Sequence, residues 1–320
     1  MLNFTDLAWL RHDPNRRAAL GDAARRAREA WAARPAVAPI LDDLATYGSG
    51  CSLLDCTTLD ALFGTHSLAK QFVDAWLADG LALLASNPLA QPEFAFQQSA
   101  NSAVMRIASS GRAELSVVVF WPSESDAPAS SVHFASVDRH EICLSGSASA
   151  VLATRIDART KLHVERRHLR PGDRLVQRGN RDAKAYDSIE GCLAILRLSR
   201  RHERAQATCE LALEDGRLIH RSTGEKADSR KEMAMALLTR MKRGDAVPQI
   251  LDIARSGDPH LRWQALRNCL ALDVRQGFDL LCTIAADDAD SLCHSAGILR
   301  AQLIERYPQL NVTEDQRCPA

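Results

Sequence analysis

The 320-residue sequence lacks most of the signatures that would announce a function. No apolar stretch approaches the roughly 20 residues needed to span a bilayer, so no membrane helix is expected. The nine cysteines are odd in number and contain no C-x-x-C pair, which argues against both a disulfide framework and a structural zinc site. They read as buried, reduced thiols. There is no G-x-G-x-x-G, Walker loop, G-x-S-x-G or H-E-x-x-H. Neither sign of charge is in surplus: forty Lys and Arg face forty Asp and Glu, so a nucleic-acid partner is not expected. The opening residues, Met1-Leu-Asn-Phe-Thr-Asp-Leu, lack a basic segment followed by an apolar run, and the expected location is cytoplasmic. What remains, 25% charged and 46% hydrophobic, is the composition of a folded globular chain of about two domains.

Three stretches of different periodicity follow one another. Residues 1–91 read as helical: Asp13-Pro14 is a cap with proline at the first helical position, Asn15 to Trp31 is rich in Ala and Arg, and Tyr47 to Cys51 reads as a loop. A second helix is expected from about Ser67 to Ala85, where Leu68, Phe72, Val73, Trp76, Leu77 and Leu81 recur at helical spacing as a packing stripe. Pro88 and Pro92 then mark a change. Residues 92–224 hold about ten short segments rich in Val, Ile, Leu and Phe with no amphipathic helix between them, the pattern of an antiparallel sandwich or barrel. Residues 225–320 return to helical spacing, with Asp258-Pro259 opening one helix. Sliding this part by 31 residues aligns Ile253 with Ile284, Ala254 with Ala285, Leu261 with Leu292 and Ala265 with Ala296. That register resembles a HEAT-type helical repeat of about two units. Two units cannot stand alone as a solenoid, so they are expected to pack on the sheet domain, on a protein partner, or on a second subunit as a homodimer.

The middle stretch resembles the cupin family. His140-Glu141-Ile-Cys-Leu-Ser-Gly146 is similar to the acid-then-glycine end of the first cupin motif. Leu169-Arg-Pro-Gly-Asp173 with Gly179-Asn-Arg-Asp182 is similar to the second. Phe120-Trp121-Pro122, Pro128 and His133 look like the opening of the first motif in the thiol-dioxygenase branch. The resemblance covers about 110 residues. It implies an α+β chain whose antiparallel cupin-like barrel, or jelly roll, is flanked by an N-terminal helical segment and a C-terminal helical repeat. It also implies a divalent metal, iron first, held by His and carboxylate for oxygenase chemistry on a small polar or anionic molecule.

The expected ligand set departs from the family's. The H-x-H positions hold Ser130, Ser131 and Val132, leaving His133, and the histidine of the second motif is replaced by Asp182. Neighbours on a strand face opposite sides, so at most one of His140 and Glu141 can point inward. Counting back from Gly146 favours Glu141, and a bulge would reverse the choice. A metal site would then use His133, Glu141 and Asp182, with His140 or His168 as a replacement donor. The rival reading is a barrel without metal, in which His133 is partly exposed, Glu141 pairs with an arginine and Asp182 is a turn residue. Ten Lys or Arg lie between Arg155 and Lys184 against four acids, a local excess suited to an anionic ligand. Arg139 or Arg174 would clamp its carboxylate. Two functions therefore stand: a cupin-type enzyme acting on a small molecule, or a non-catalytic module that binds a ligand or assembles with a protein.

Overall fold

The computed structural model describes residues 13–122, 128–156, 161–203 and 206–310. The chain divides into two compact units, one of residues 1–205 with 209–220 and the other of 206–208 with 221–320.

In the first unit four helices precede the strands: α1 (Pro14–Ala32), α2 (Ala38–Ser49), α3 (Thr57–Gly64) and α4 (His66–Ser86). The expected loop at Tyr47–Cys51 is instead helical through Ser49. Gly48 is there for packing, since a Cβ would come within 2.2 Å of the Ser110 carbonyl oxygen. The helix stops at Gly50, whose φ of 125° suits glycine.

The strands are β1 (Ala95–Gln98), β2 (Ser102–Ser110), β3 (Ala113–Phe120), β4 (Ser131–Phe134), β5 (Val137–Arg155), β6 (Leu162–Leu169), β7 (Arg174–Gln177), β8 (Asp182–Arg201), β9 (Thr208–Ala212) and β10 (Leu218–Ser222). One sheet runs β1-β2-β3-β8-β5-β6 with β7 also on β5, and a second runs β10-β9-β4. The pairings with resolved register are antiparallel. β5 is one strand of 19 residues where the sequence reads as short segments. Its pairing with β8 slips between Cys143 and Ser147 and again at Ser149. At the first slip sits Gly146, with φ of 78° and a would-be Cβ 2.2 Å from the Cys192 carbonyl oxygen, where only glycine fits.

Strand alternation then sorts the side chains. Leu115 and Val117 of β3, Ile142 and Leu144 of β5, and Leu196 and Leu198 of β8 share one core with Trp31, Tyr47, Phe63 and Phe72 of the helices. Residue 91 is therefore a change of secondary structure within one packed body. The opposite faces supply Cys143, Leu193 and Ile195, which meet Ala148, Ala150, Leu169 and Leu175 in the barrel interior. Beneath the small sheet, Val132, Phe134 and Leu211 pack on Ala153 and Ala183.

The second unit contains α5 (Lys226–Arg240), α6 (Val247–Arg255), α7 (Pro259–Leu272), α8 (Val274–Ala285) and α9 (Cys293–Arg306). The α7 start follows the sequence signal: Asp258 accepts from the backbone N–H groups of His260 (2.9 Å) and Leu261 (3.3 Å), ahead of Pro259. All eight residues aligned by the 31-residue shift lie in or against this unit's single core. Among the described residues no helix is long and apolar enough to cross a membrane.

Candidate functional site: an ion cluster inside the barrel

Glu141 faces the barrel interior and is 2% exposed, while its neighbour His140 lies on the helix side, edge-on to Tyr47 at 6.2 Å. The slips in β5 fall beyond Glu141, and the register from Arg139 against Ser199 to Cys143 against Ile195 is unbroken. The carboxylate is not waiting for a metal. One oxygen accepts from Arg197 Nε at 2.7 Å, and the other makes a short ion pair with Lys184 Nζ. The Lys184 side chain is only 5% exposed.

This meeting depends on the bend. Arg197 stands directly across the ladder from Glu141, but Lys184 pairs with Leu152, far along the ribbon. A straight ribbon would separate Leu152 from Glu141 by about 36 Å at the usual rise per strand residue. Folding at Gly146 brings the second half of the β5–β8 ribbon over the first, and Lys184 crosses the interior.

Two cations contact the Glu141 carboxylate, and a third, Arg139, lies within its electrostatic reach. Arg139, partly buried, has the same strand parity as Glu141 and feels the charges of both Arg197 and Glu141. Burial alone would raise the Glu141 carboxyl, but Lys184 and then Arg197 outweigh it and hold the group at about 2. Burial pushes the Lys184 ammonium down, against the pull of Glu141, and lowers Arg139 as well. Tyr186 lies beside this set, its ring 5.0 Å from Lys184 Nζ and 4.9 Å from the ring of Phe120. Its hydroxyl is buried and has no hydrogen-bond partner, and burial raises it above the ordinary tyrosine range. Burial likewise moves the Cys143 thiol up to about 11, so it is not a thiolate near neutrality.

The other expected ligands stand apart. The His133 side chain is 65% exposed, because Val132 and Phe134 take the inward positions of β4, and its nearest carboxylate is Glu210 at 3.7 Å. Asp182 closes the turn before β8, accepting from the Arg178 backbone N–H and the Thr154 hydroxyl, each at 3.0 Å. Arg174 points away from the interior, on the exposed face of β7 opposite buried Leu175 and Gln177. Among the described residues no three His, Cys, Asp or Glu side chains are placed to hold a metal ion. The donor set gives the physical reason: the interior carboxylate is saturated by an ammonium and a guanidinium, and His133 and His140 both lie on other faces. The residues present do not fit a divalent metal. Lys184, Arg197 and Tyr186 were not anticipated as site residues. Their signal was charged or phenolic side chains at the inward parity of a strand otherwise apolar there, Leu193-x-Ile195-x-Arg197.

No family model matches the chain, and no curated protein matches it. Among solved structures it is similar to a 7S globulin from Momordica charantia, at 10% identity over 38% of this chain and 35% of that one, with a TM-score of 0.28. It is also similar to an RmlC-like cupin from Shewanella frigidimarina, at 8% identity over 35% of this chain and 87% of that one, with a TM-score of 0.25. KdgF from a Halomonas species has 19% identity over 34% of this chain and 88% of its own, with a TM-score of 0.25. The chain thus spans about a third of the globulin's length and most of the length of the other two. By its own strand pairing and interior, the chain is an α+β protein whose middle is an antiparallel barrel, with helical segments before and after it in sequence.

Proposed function

We propose that the barrel is a metal-free binding module for a small anion, a carboxylate-bearing molecule above all, held in the interior by Arg139 and Arg197. The observation that carries this reading is the charge imbalance around Glu141. One carboxylate is faced by Lys184, Arg197 and Arg139, and a buried cation without a counter-charge is costly. An anion beside Arg139 would supply the missing charge. The unpartnered Tyr186 hydroxyl offers a donor at the same place. In this reading the cations perform the charge-neutralising part of a metal's work, without its open coordination positions.

Thermal unfolding of the chain at constant ionic strength, with acetate, succinate or phosphate replacing chloride, tests the idea. Binding of at least one of these raises the midpoint as concentration increases, and Arg139→Ala weakens that response about tenfold, the size of one charge-assisted contact. No anion-specific stabilisation, or an unchanged response in Arg139→Ala, contradicts the proposal.

A further inference from the structure

The α5 helix spends only one of its sides on the core of the second unit. Met235 is buried there, and the same side is tied to α7 by Glu232 beside His260 at 3.3 Å and by the Thr239 hydroxyl on Asn268 at 2.6 Å. The opposite side presents Arg230, Met233, Ala234, Leu237, Arg240 and Met241, every one of them exposed. Met233, Leu237 and Met241 are 65%, 59% and 56% exposed. Steps of three and four residues place the six in one continuous seam. The two acids of the helix are engaged elsewhere, Asp228 by Lys231 at 2.9 Å and Glu232 by His260. Arg230 and Arg240 have no ion-pair or hydrogen-bond partner among the described residues. The seam is thus apolar surface held between two free guanidinium groups on a helix whose other side is anchored.

From this seam we infer a docking site for one amphipathic helix of a partner protein, with an apolar stripe to cover Met233, Leu237 and Met241 and carboxylates on its flanks to meet Arg230 and Arg240. Apolar residues at steps of three and four are the spacing into which a facing helix packs, and methionine side chains adapt to the shape they meet. Charge selects the occupant, because acidic flanks complement the two arginines and basic flanks repel them. A second copy of α5 is disfavoured on the same ground: antiparallel pairing sets Arg230 against Arg240, and parallel pairing sets each arginine against itself. A membrane surface is disfavoured because the seam carries no Trp, Tyr or Phe to anchor it among the headgroups. The site is independent of the ion cluster in the barrel and of the anion proposed there.

Two fluorescein-labelled helical peptides titrated with the full-length protein and read by anisotropy decide the matter. Both carry the same leucine stripe, one with glutamates and the other with lysines on its flanks. The glutamate peptide is expected to bind at least about tenfold more tightly than the lysine peptide, the size of two charge pairs turned from attraction to repulsion. Leu237→Glu, at an exposed position that leaves the core untouched, is expected to abolish binding of the glutamate peptide. Arg230→Glu combined with Arg240→Glu is expected to reverse the preference. No binding of the glutamate peptide, equal affinity for the two peptides, or unchanged affinity in Leu237→Glu overturns the inference. So does a dimer in light scattering, or sedimentation with phosphatidylcholine–phosphatidylserine vesicles, that is lost in Leu237→Glu, since either assigns the seam to another occupant. Should a variant fail to fold, the two-peptide comparison on the unaltered protein still decides.

Discussion

Lys184 has two consequences that can be separated by substitution. Lys184→Met deletes the ammonium while keeping a side chain of similar length, leaving Glu141 buried with Arg197 as its only close partner. Breaking a buried pair from one side costs about 3–5 kcal/mol, whereas replacing the whole set by apolar groups is often near neutral. Urea unfolding is therefore expected to show a large loss for Lys184→Met and a markedly smaller one for Lys184→Met with Glu141→Leu. Equal losses would mean that the pair is not the source of the effect. The same arrangement fixes a pH dependence. The Glu141 carboxyl, ordinarily near 4.5, is held at about 2 in the folded chain. A carboxyl depressed by folding stabilises the fold above its unfolded value, and that stability is lost as the pH falls from about 4.5 towards 2. The contribution at neutral pH is about 3 kcal/mol, and acid unfolding of Lys184→Met should show a smaller loss over that window. At this scale the sequence was informative about faces and, in the reading that pairs Glu141 with an arginine, about one partner. Alternation identified Glu141 as inward and, through Val132 and Phe134, could have placed His133 outward. It could not place Lys184, 43 residues away, against Glu141, because that contact depends on where a ribbon bends.

The bend is a property of β5 and β8 together. Both strands are about twice as long as the expected segments, and Gly146 lets them fold without breaking. Gly146→Ala would put a Cβ 2.2 Å from the Cys192 carbonyl oxygen at a positive φ. It is expected to cost about 2–4 kcal/mol and, by straightening the ribbon, to move Lys184 from Glu141. Chemical denaturation measures the first effect. Near-normal stability would show that the turn tolerates a side chain and that the bend is held elsewhere. Elements with local signals were read well. The Asp258-Pro259 start of α7 is one. Elements fixed by packing were not. The α2 helix continues through Gly48 and Ser49 to stop at Gly50, with Gly48 lying against the β2–β3 turn about 60 residues further on. The first half of β8 carries Lys184 and Asp187 among small residues, so its hydrophobic alternation is weak.

At the scale of the molecule, the barrel and its N-terminal helices form one body with an interior and an exterior core, and the C-terminal helices form a second with their own. The order of periodicities pointed to the observed α+β order of helices, antiparallel strands and helices. The expected metal set rested on the motif resemblance and on strand alternation, and the fold disperses it: His133 to an exposed edge, His140 to the helix face, and Asp182 to a turn. The interior carboxylate is met instead by Lys184 and Arg197 of the chain itself. The most direct measurement is the metal content of protein purified without a histidine tag, equilibrated with excess iron(II), manganese(II) or zinc(II), and then desalted. The account predicts only trace, substoichiometric metal, the same in the unaltered protein and in Glu141→Gln. Stoichiometric metal in the unaltered protein that is absent from Glu141→Gln would contradict it.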